Sequence, residues 1–228
     1  MIRLQGVTKR YPNGLLALND VSFSMAEGEF VFLIGPTGAG KSTLLRLLYR
    51  AEVASRGEVS VAGRDITRLP ARQMPALRRS MGVVFQDFKL LPRKTAYENV
   101  AFALQVTGTP PEEIRPRAMQ ALEVVGLADR ADALPWQVSG GEQQRVSIAR
   151  AIVHQPPLLL ADEPTGNLDP RMSWEIVQLL SRINLRGTTV LVATHNKLIV
   201  DILRQRVVEL AAGTVVRDED YGLYASHA

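Results

Sequence analysis

Hydrophobic and polar side chains alternate over residues 2–8 and 20–25, which is the pattern of half-buried antiparallel strands. The run FVFLI at 30–34 is instead continuously apolar, which predicts a parallel strand buried on both faces. Further strands are predicted at 57–63 (GEVSVAG), 158–161 (LLLA), 188–194 (TTVLVAT) and 207–213 (VVELAAG). These runs indicate a mainly parallel sheet with an antiparallel part near the N-terminus.

Helical periodicity lies between these runs. A helix is predicted from Lys41, because the leucines that follow it fall on one side. Three more helices are predicted over residues 96–107, 112–125 and 141–154, the second of them bounded by Pro110-Pro111 and by Gly126. Strands that alternate with helices in this way indicate an α/β fold in which helices cover the sheet.

The order of these elements also predicts how the chain is divided. We expect a single domain over residues 1–228. Its core would be formed by residues 1–86 and 156–228, and residues 87–155 would form a mostly helical subdomain between them.

Composition changes this picture only slightly. Hydrophobic residues make up 46% of the 228 residues and charged residues 22%, as in ordinary globular domains. The absence of cysteine excludes disulfides and thiolate metal sites. The basic residues behind the net charge of +4 are spread along the chain, which favours a mixed surface over a nucleic-acid site. No signal peptide or membrane span is expected, so a membrane role would need a partner.

The stretch GPTGAGKST lies between the predicted strand at 30–34 and the helix from Lys41, and it fits the phosphate-binding pattern G-x-x-x-x-G-K-[ST]. Its glycines let backbone N–H groups turn toward a phosphate, and the helix N-terminus adds partial positive charge. Lys41 is expected to contact the β- and γ-phosphates of ATP, and Ser42 to offer its hydroxyl to Mg²⁺. The predicted nucleotide-binding residues of this loop are Gly35, Pro36, Thr37, Gly38, Ala39, Gly40, Lys41, Ser42 and Thr43.

Polar residues follow three of the predicted strands. Asp162 and Glu163 end the run LLLADE, where Asp162 is expected to hold Mg²⁺ and Glu163 to polarise the water that attacks the γ-phosphate. Gln86 ends the run MGVVF and is a candidate for Mg²⁺ or for the attacking water. His195 follows the run TTVLVAT and is a candidate hydrogen-bond partner of the γ-phosphate.

The stretch VSGGEQQRVSIARA at 138–151 places a second glycine-rich loop before a helix, although a plain serine N-cap would account for it locally. One ATP does not need two such loops from one subunit, so this loop is expected to cover ATP held by another copy. The stretch resembles the signature motif of ABC ATPases, and GNLD at 166–169 resembles their D-loop. The resemblance implies a P-loop NTPase of the RecA-like type that hydrolyses Mg-ATP as a head-to-tail homodimer.

The resemblance also assigns residues that the pattern alone does not. It implies that Tyr11 stacks on adenine and that further nucleotide contacts come from Ser139, Gly140, Gly141, Glu142 and Asp169. The sequence departs from the usual motifs at Val138, Glu142 and Asn196, none of which removes a catalytic group.

Within the ABC ATPases, residues 65–100 and ADEPTGNLD resemble the branch that serves bacterial cell division. This implies an FtsX-like integral membrane partner, indirect control of peptidoglycan hydrolases or their activators, and a place on the cytoplasmic face of the plasma membrane at the septum. The segment DFKLLPRKTAYENV after Gln86 mixes apolar with basic residues and is expected to dock an amphipathic helix of the partner.

Three alternatives remain at this point. The chain could be the motor of a lipoprotein-release or macrolide-export transporter, whose ATPases share PTGNLD. Nucleic-acid ATPases with this fold usually carry a long coiled-coil insertion or a second cassette, and 228 residues hold neither. A nucleotide-binding regulator without turnover is disfavoured, because the water-polarising Glu163 is present.

Overall fold

The structure is a computed structural model that describes residues 1–224. These residues form ten β-strands and seven α-helices, with three short 3-10 turns. The strands are β1 (Ile2–Arg10), β2 (Leu16–Met25), β3 (Phe30–Ile34), β4 (Arg56–Val61), β5 (Arg64–Asp65), β6 (Met81–Val84), β7 (Leu158–Asp162), β8 (Thr189–Ala193), β9 (Arg206–Ala211) and β10 (Thr214–Glu219). The helices are α1 (Lys41–Leu48), α2 (Met74–Arg79), α3 (Ala96–Thr107), α4 (Pro111–Val124), α5 (Gly140–Ile152), α6 (Pro170–Leu185) and α7 (Lys197–Leu203).

The central sheet has six strands in the order β10-β9-β3-β8-β7-β6. All neighbours are parallel except β10, which pairs antiparallel with β9. All five residues of β3 and of β8 are buried, because helices and the second sheet cover both faces. This confirms the parallel sheet predicted from the uninterrupted apolar runs.

A second sheet of four antiparallel strands has the order β2-β1-β4-β5. Residues along β1 alternate between buried and exposed at its start, and β1 pairs antiparallel with both β2 and β4. The predicted antiparallel N-terminal part is therefore confirmed. Helix α1 contacts strands of both sheets, and its leucines belong to the hydrophobic core between them.

The region between β6 and β7 is mostly helical. Helices α3, α4 and α5 contact one another, and α5 also contacts β6 and α6. The side chains of Thr95 and Glu98 form a capping box at the start of α3, so they accept hydrogen bonds from backbone N–H groups that would otherwise have no partner in the helix. Helix α4 ends just before Gly126, which has a φ of 73°.

Several elements have no strong pattern in the sequence. Strand β5 has two residues, α2 has six, and β10 is an edge strand with three charged residues among its six. Strands β1 and β2 are longer than the strands predicted from the alternating pattern. Their outer ends continue to pair with each other after a shift in register. Within residues 1–224, no helix has both the length and the apolar character that crossing a bilayer requires.

Candidate nucleotide site

The parallel strands bring the predicted site residues to one edge of the sheet. Because β3, β6, β7 and β8 run in the same direction, the segments after their carboxyl ends lie side by side. The phosphate-binding loop follows β3, Gln86 follows β6, Glu163 follows β7 and His195 follows β8. One cavity of about 430 Å³ is lined by the loop together with these three side chains.

The phosphate-binding loop connects β3 to α1 through left-handed glycines. Gly35 has a φ of 141° and Gly40 a φ of 107°. A Cβ at Gly35 would overlap the carbonyl oxygen of Leu210, and one at Gly40 would overlap that of Ala17. Both the backbone conformation and the close approach therefore require glycine, and the loop wraps around the N-terminus of α1 as an anion-binding concavity does.

Lys41 is buried inside this loop. Its ammonium group donates hydrogen bonds to the carbonyl oxygens of Gly35 (2.7 Å) and Pro36 (3.2 Å). It also lies 3.8 Å from Oε1 of Glu163. The charge of Lys41 is thus already placed where a phosphate bound by the loop amides would meet it.

Ser42 and Asp162 lie together, although 120 residues separate them. The Ser42 hydroxyl donates to Oδ1 of Asp162 over 3.0 Å. Burial raises the pKa of the Asp162 carboxyl and the charge of Glu163 adds to this, whereas the hydrogen bond from Ser42 opposes it. Gln86 lines the same cavity as this pair.

The side-chain oxygens of Ser42, Asp162 and Gln86 suit magnesium. A hydroxyl, a carboxylate and an amide oxygen are the hard oxygen ligands that Mg²⁺ prefers. Among residues 1–224, no group of three or more His, Asp or Glu side chains is placed to hold a metal. A metal at Ser42 and Asp162 would therefore need oxygen ligands from elsewhere, as Mg²⁺ bound to nucleotide phosphates has.

Glu163 is buried and is held by His195. Its Oε1 lies 2.9 Å from Nδ1 of His195, and its Oε2 accepts a hydrogen bond from the His195 backbone N–H over 3.2 Å. Glu163 has a φ of 48°, which is strained for a residue with a side chain, and its N–H donates to the carbonyl of Ala193. This left-handed turn after β7 points the carboxylate at the cavity that the phosphate-binding loop also lines.

Tyr11 lies near the other end of the phosphate-binding loop. Its phenol oxygen is 3.3 Å from Oγ1 of Thr43. The ammonium group of Lys9 lies 4.9 Å from the centre of the ring. Tyr11 is therefore beside the loop, as its expected contact with a nucleotide base requires.

The signature loop is not brought to this cavity. In the described part of the chain, none of Ser139 to Glu142 lines the cavities formed by the phosphate-binding loop, Gln86 and Glu163. Ser139 instead caps α5: its side chain accepts from the N–H of Glu142, whose carboxylate accepts from the N–H of Ser139. That hydrogen bond lowers the pKa of the Glu142 carboxyl.

Asp169 likewise has a local partner. It is the N-cap of α6, and its side chain accepts from the N–H of Met172 over 2.8 Å. The predicted contact residues are thus divided into two groups on one chain, one around the phosphate-binding loop and one around Ser139 and Asp169.

Two residues at the site were missed by the sequence interpretation. Arg46 and Tyr49 line the cavity that Ser42, Gln86 and Asp162 also line. Arg46 lies four residues after Ser42 on α1, so the helical spacing would have placed it on the same side. Tyr49 carried no comparable signal, because it follows the end of the helix.

The comparisons with known proteins agree with this geometry. The profile of the ABC transporter family matches residues 18–166. The chain is 54% identical over 224 residues to the "Cell division ATP-binding protein FtsE" of Streptococcus pneumoniae (strain D39), covering 98% of this chain and 97% of that protein. It is 51% identical over 227 residues to the protein of the same name from Bacillus subtilis (strain 168), covering both in full.

Solved structures resemble the fold just as closely. The dimeric ATP-binding cassette MJ0796 in a post-hydrolysis state with ADP and Pi has a TM-score of 0.89 and 38% identity, covering 97% of this chain and 99% of that one. CbiO1 from Clostridium perfringens, part of the ABC transporter complex CbiONQ, has a TM-score of 0.89 and 30% identity, covering 96% and 88%.

Proposed function

The chain belongs to the ABC transporter family, and from that premise we propose that it is the ATP-hydrolysing subunit of a membrane complex that acts in bacterial cell division. It binds ATP and is an ATP hydrolase with the RecA-like P-loop fold. The observation that carries the proposed chemistry is the meeting of the phosphate-binding loop, Gln86, Glu163 and His195 at one cavity. The names of the relatives support the role in cell division.

The phosphate-binding loop and Lys41 are proposed to hold the phosphates of ATP, with Tyr11 against the adenine. The loop amides would provide hydrogen bonds, and Lys41 would exchange its present carbonyl partners for phosphate oxygens. Ser42, Asp162 and Gln86 would hold Mg²⁺, which neutralises phosphate charge when it is bound.

Glu163 is proposed to accept the proton of the attacking water. Its carboxylate is fixed by the ring and by the backbone N–H of His195, so it needs little reorganisation before the reaction. The other ring nitrogen of His195 is proposed to face the γ-phosphate, because the side chain is 58% exposed and lines the cavity of the phosphate-binding loop. Gln86 would sense the same phosphate from the neighbouring strand end.

A head-to-tail homodimer would complete the site. Ser139, Gly140, Gly141, Glu142 and Asp169 are proposed to contact the ATP that the other copy holds. Two facts support this: these residues lie outside the cavity around the phosphate-binding loop, and the similar cassette MJ0796 is described as dimeric. We further propose that residues 87–155 form a mostly helical subdomain beside the core formed by residues 1–86 and 156–228.

The proposed membrane partner is an FtsX-like integral protein that passes the ATP cycle to peptidoglycan hydrolases or their activators. The chain would then act on the cytoplasmic face of the plasma membrane at the septum. The segment after Gln86 is only partly available for docking, since Leu90 and Tyr97 pack against the hydrophobic core. Leu91 is half-buried and is hydrogen-bonded to Asn99 of α3.

Helix α3 adds apolar side chains to this region. Phe102 and Val106 are 44% and 49% exposed, and their spacing from Asn99 places all three on one side of α3. We define the docking surface as Leu91, Phe102 and Val106. An amphipathic helix of the partner would cover these side chains, with Arg93 and Lys94 at the rim.

The test is recovery of the membrane partner by the tagged chain from detergent-solubilised membranes of a bacterium that carries it. An FtsX-like protein is expected with the wild-type chain and should be lost with Phe102→Asp, while ATP affinity stays within about threefold because the docking surface is outside the ATP cavity. Leu185→Asp is the matched control, since Leu185 is 85% exposed at the end of α6 and should not matter. Recovery of a lipoprotein-release or macrolide-export permease instead would replace the cell-division role by the transporter alternative.

A further inference from the structure

Residues 64–79 concentrate the positive charge of the chain. Basic residues are spread along the sequence, but their excess over acidic residues is not. Residues 64–79 contain five arginines and one acidic residue, so their net charge of +4 equals that of the whole chain. All five arginines are exposed, and we call them the basic patch: Arg64, Arg68, Arg72, Arg78 and Arg79.

Carboxylates do not compensate this charge. Within residues 1–224, ion pairs hold arginines of other elements, such as Arg145, Arg206 and Arg217, but none involves the basic patch. The acidic residue of the segment, Asp65, accepts the N–H of Thr67 over 2.7 Å, and hydrogen bonds from Thr67 lower the pKa of its carboxyl. Five like charges placed together without partners favour an anion from outside the chain.

Backbone carbonyls hold part of the basic patch in place. Arg78 donates to two carbonyl oxygens just after α1, over 3.1 and 3.0 Å, and Arg79 donates to that of Val106 over 3.3 Å. A carbonyl acceptor fixes a guanidinium without neutralising its charge, and it leaves other N–H donors available. In the described residues 1–224, Arg68 and Arg72 are exposed and have no hydrogen-bond partner for their guanidinium groups.

The segment that carries the basic patch is itself well anchored. Its apolar side chains Ile66, Leu69 and Leu77 are buried in the core that also contains the leucines of α1. Arg64 donates to Oε1 of Gln73 over 3.2 Å, which ties β5 to the turn before α2. The arginines between the buried positions are therefore held at the surface by a packed segment.

The side chains of the basic patch suit phosphate groups. All of its basic residues are arginines, and the planar guanidinium matches two phosphate oxygens at once, which an ammonium group does not. Residues 64–79 contain no aromatic side chain, whereas proteins that bind single-stranded nucleic acids stack the bases on aromatic rings. The chemistry therefore favours a surface of phosphate groups over a strand of bases.

The position of the basic patch indicates which phosphate groups these are. The hydrogen bond from Arg79 joins it to the carbonyl of Val106, and Val106 belongs to the docking surface proposed for the membrane partner. The two surfaces therefore adjoin. A chain that docks there on an integral membrane protein brings the basic patch toward the headgroups of the cytoplasmic leaflet, where anionic lipids attract nearby arginines.

We propose that the basic patch binds the phosphate groups of anionic phospholipids in the bilayer that holds the membrane partner. This inference rests on the proposed membrane complex, because that complex decides which side of the chain meets the bilayer. Free inorganic phosphate has the same chemistry, but only a lipid surface presents many phosphate groups to several arginines at once.

Sedimentation of the full chain with lipid vesicles tests the proposal in the absence of the partner and of nucleotide. The wild-type chain should bind vesicles of phosphatidylcholine mixed with phosphatidylglycerol, and it should not bind vesicles of phosphatidylcholine alone. Binding should weaken as salt is added, because the attraction between exposed charges is screened. Inorganic phosphate at the same total phosphate concentration should not displace the chain from the vesicles.

Two variants with the same loss of charge separate the basic patch from net charge. Arg68→Gln with Arg72→Gln should weaken vesicle binding about 10- to 30-fold, because each arginine near an anionic surface contributes about a fivefold gain. Its melting temperature and ATP affinity should match wild type, since neither side chain has a partner in the described residues. Arg182→Gln with Arg186→Gln is the control, because both arginines are exposed on or just after α6, whose apolar residues pack in the other core.

Four results would overturn the proposal. The wild-type chain might not bind the anionic vesicles, the control might lose as much binding as the Arg68 and Arg72 variant, or inorganic phosphate might displace the chain. Tighter binding to a duplex oligonucleotide than to the vesicles at the same salt would replace the lipid by nucleic acid. Each result leaves ATP hydrolysis and partner recovery unaffected. Loss of the partner-recovery result with intact vesicle binding would instead contradict the proposed function alone.

Discussion

Replacing Glu163 by glutamine tests the assignment of the catalytic base. The amide oxygen can still accept the hydrogen bond that the His195 N–H donates over 3.2 Å, and the side-chain volume is unchanged. What is lost is the negative charge that faces Nδ1 of His195 at 2.9 Å and Lys41 at 3.8 Å. The substitution therefore removes the proton acceptor and leaves the left-handed turn after β7 in place.

The expected size of the effect follows from the role of a general base. Removing such a base costs roughly 10²-fold or more in rate, which corresponds to about 2.7 kcal/mol in the activation barrier. ATP affinity should be equal or higher, because a carboxylate beside Asp162 and the phosphates is replaced by a neutral group. Since ATP then persists, the ATP-bound dimer should accumulate.

Three measurements on one preparation check this prediction. Phosphate release at saturating ATP gives the rate, equilibrium titration with a fluorescent ATP analogue gives the affinity, and light scattering gives the dimer fraction. Glu112→Gln is the control, because Glu112 is exposed in the first turn of α4. A Glu163→Gln chain that hydrolyses ATP within threefold of wild type would refute the assignment, and so would one whose affinity falls as much as its rate.

The other predictions concern the remaining groups of the site. Lys41→Ala should weaken ATP binding by about 2 kcal/mol or more, because charge-assisted contacts to the phosphates are lost; calorimetry that finds equal affinity contradicts this. Asp162→Asn should raise the melting temperature of the nucleotide-free chain by roughly 2 °C at pH 7. Because burial raises the folded-state pKa of Asp162, its ionisation lowers stability as pH rises through the interval from the unfolded to the folded pKa. The gain should therefore vanish below the unfolded pKa, and a gain that persists there in thermal melts would argue against the burial effect. Mixing Lys41→Ala with Ser139→Arg chains should restore part of the hydrolysis through heterodimers with one intact composite site; heterodimers that form without any rescue would exclude a site shared between copies.

Much of this site was predictable because its chemistry is local in the sequence. The phosphate-binding loop is contiguous, and its glycines, lysine and serine need only the strand before them and the helix after them. The apolar runs of β3, β7 and β8 identified parallel strands, and such strands place the residues after their carboxyl ends at one edge. The proximity of Ser42 and Asp162 follows from that rule, although the hydrogen bond between them was not predicted from the sequence.

Short and edge elements were not predictable in the same way. Strand β10 pairs only on one side, so its outward residues are charged and show no continuous apolar run. Helix α2 is too short for periodicity to be recognised and carries Pro75 near its start. Their conformations depend on neighbours that come from elsewhere in the chain.

The sequence by itself determined the family, the phosphate-binding loop and the identity of the acidic pair, because those features depend on residues that are adjacent or share one element. Tertiary structure alone decided that Asp169 caps α6 outside the cavity of the phosphate-binding loop, and that Glu163 is fixed by His195. It also decided that Arg150 donates a hydrogen bond to the carbonyl oxygen of Lys89, which lies 61 residues earlier in the sequence and shortly after Gln86. Every residue has a backbone carbonyl that can accept a hydrogen bond. The sequence of the accepting segment therefore cannot indicate which side chain will bind it.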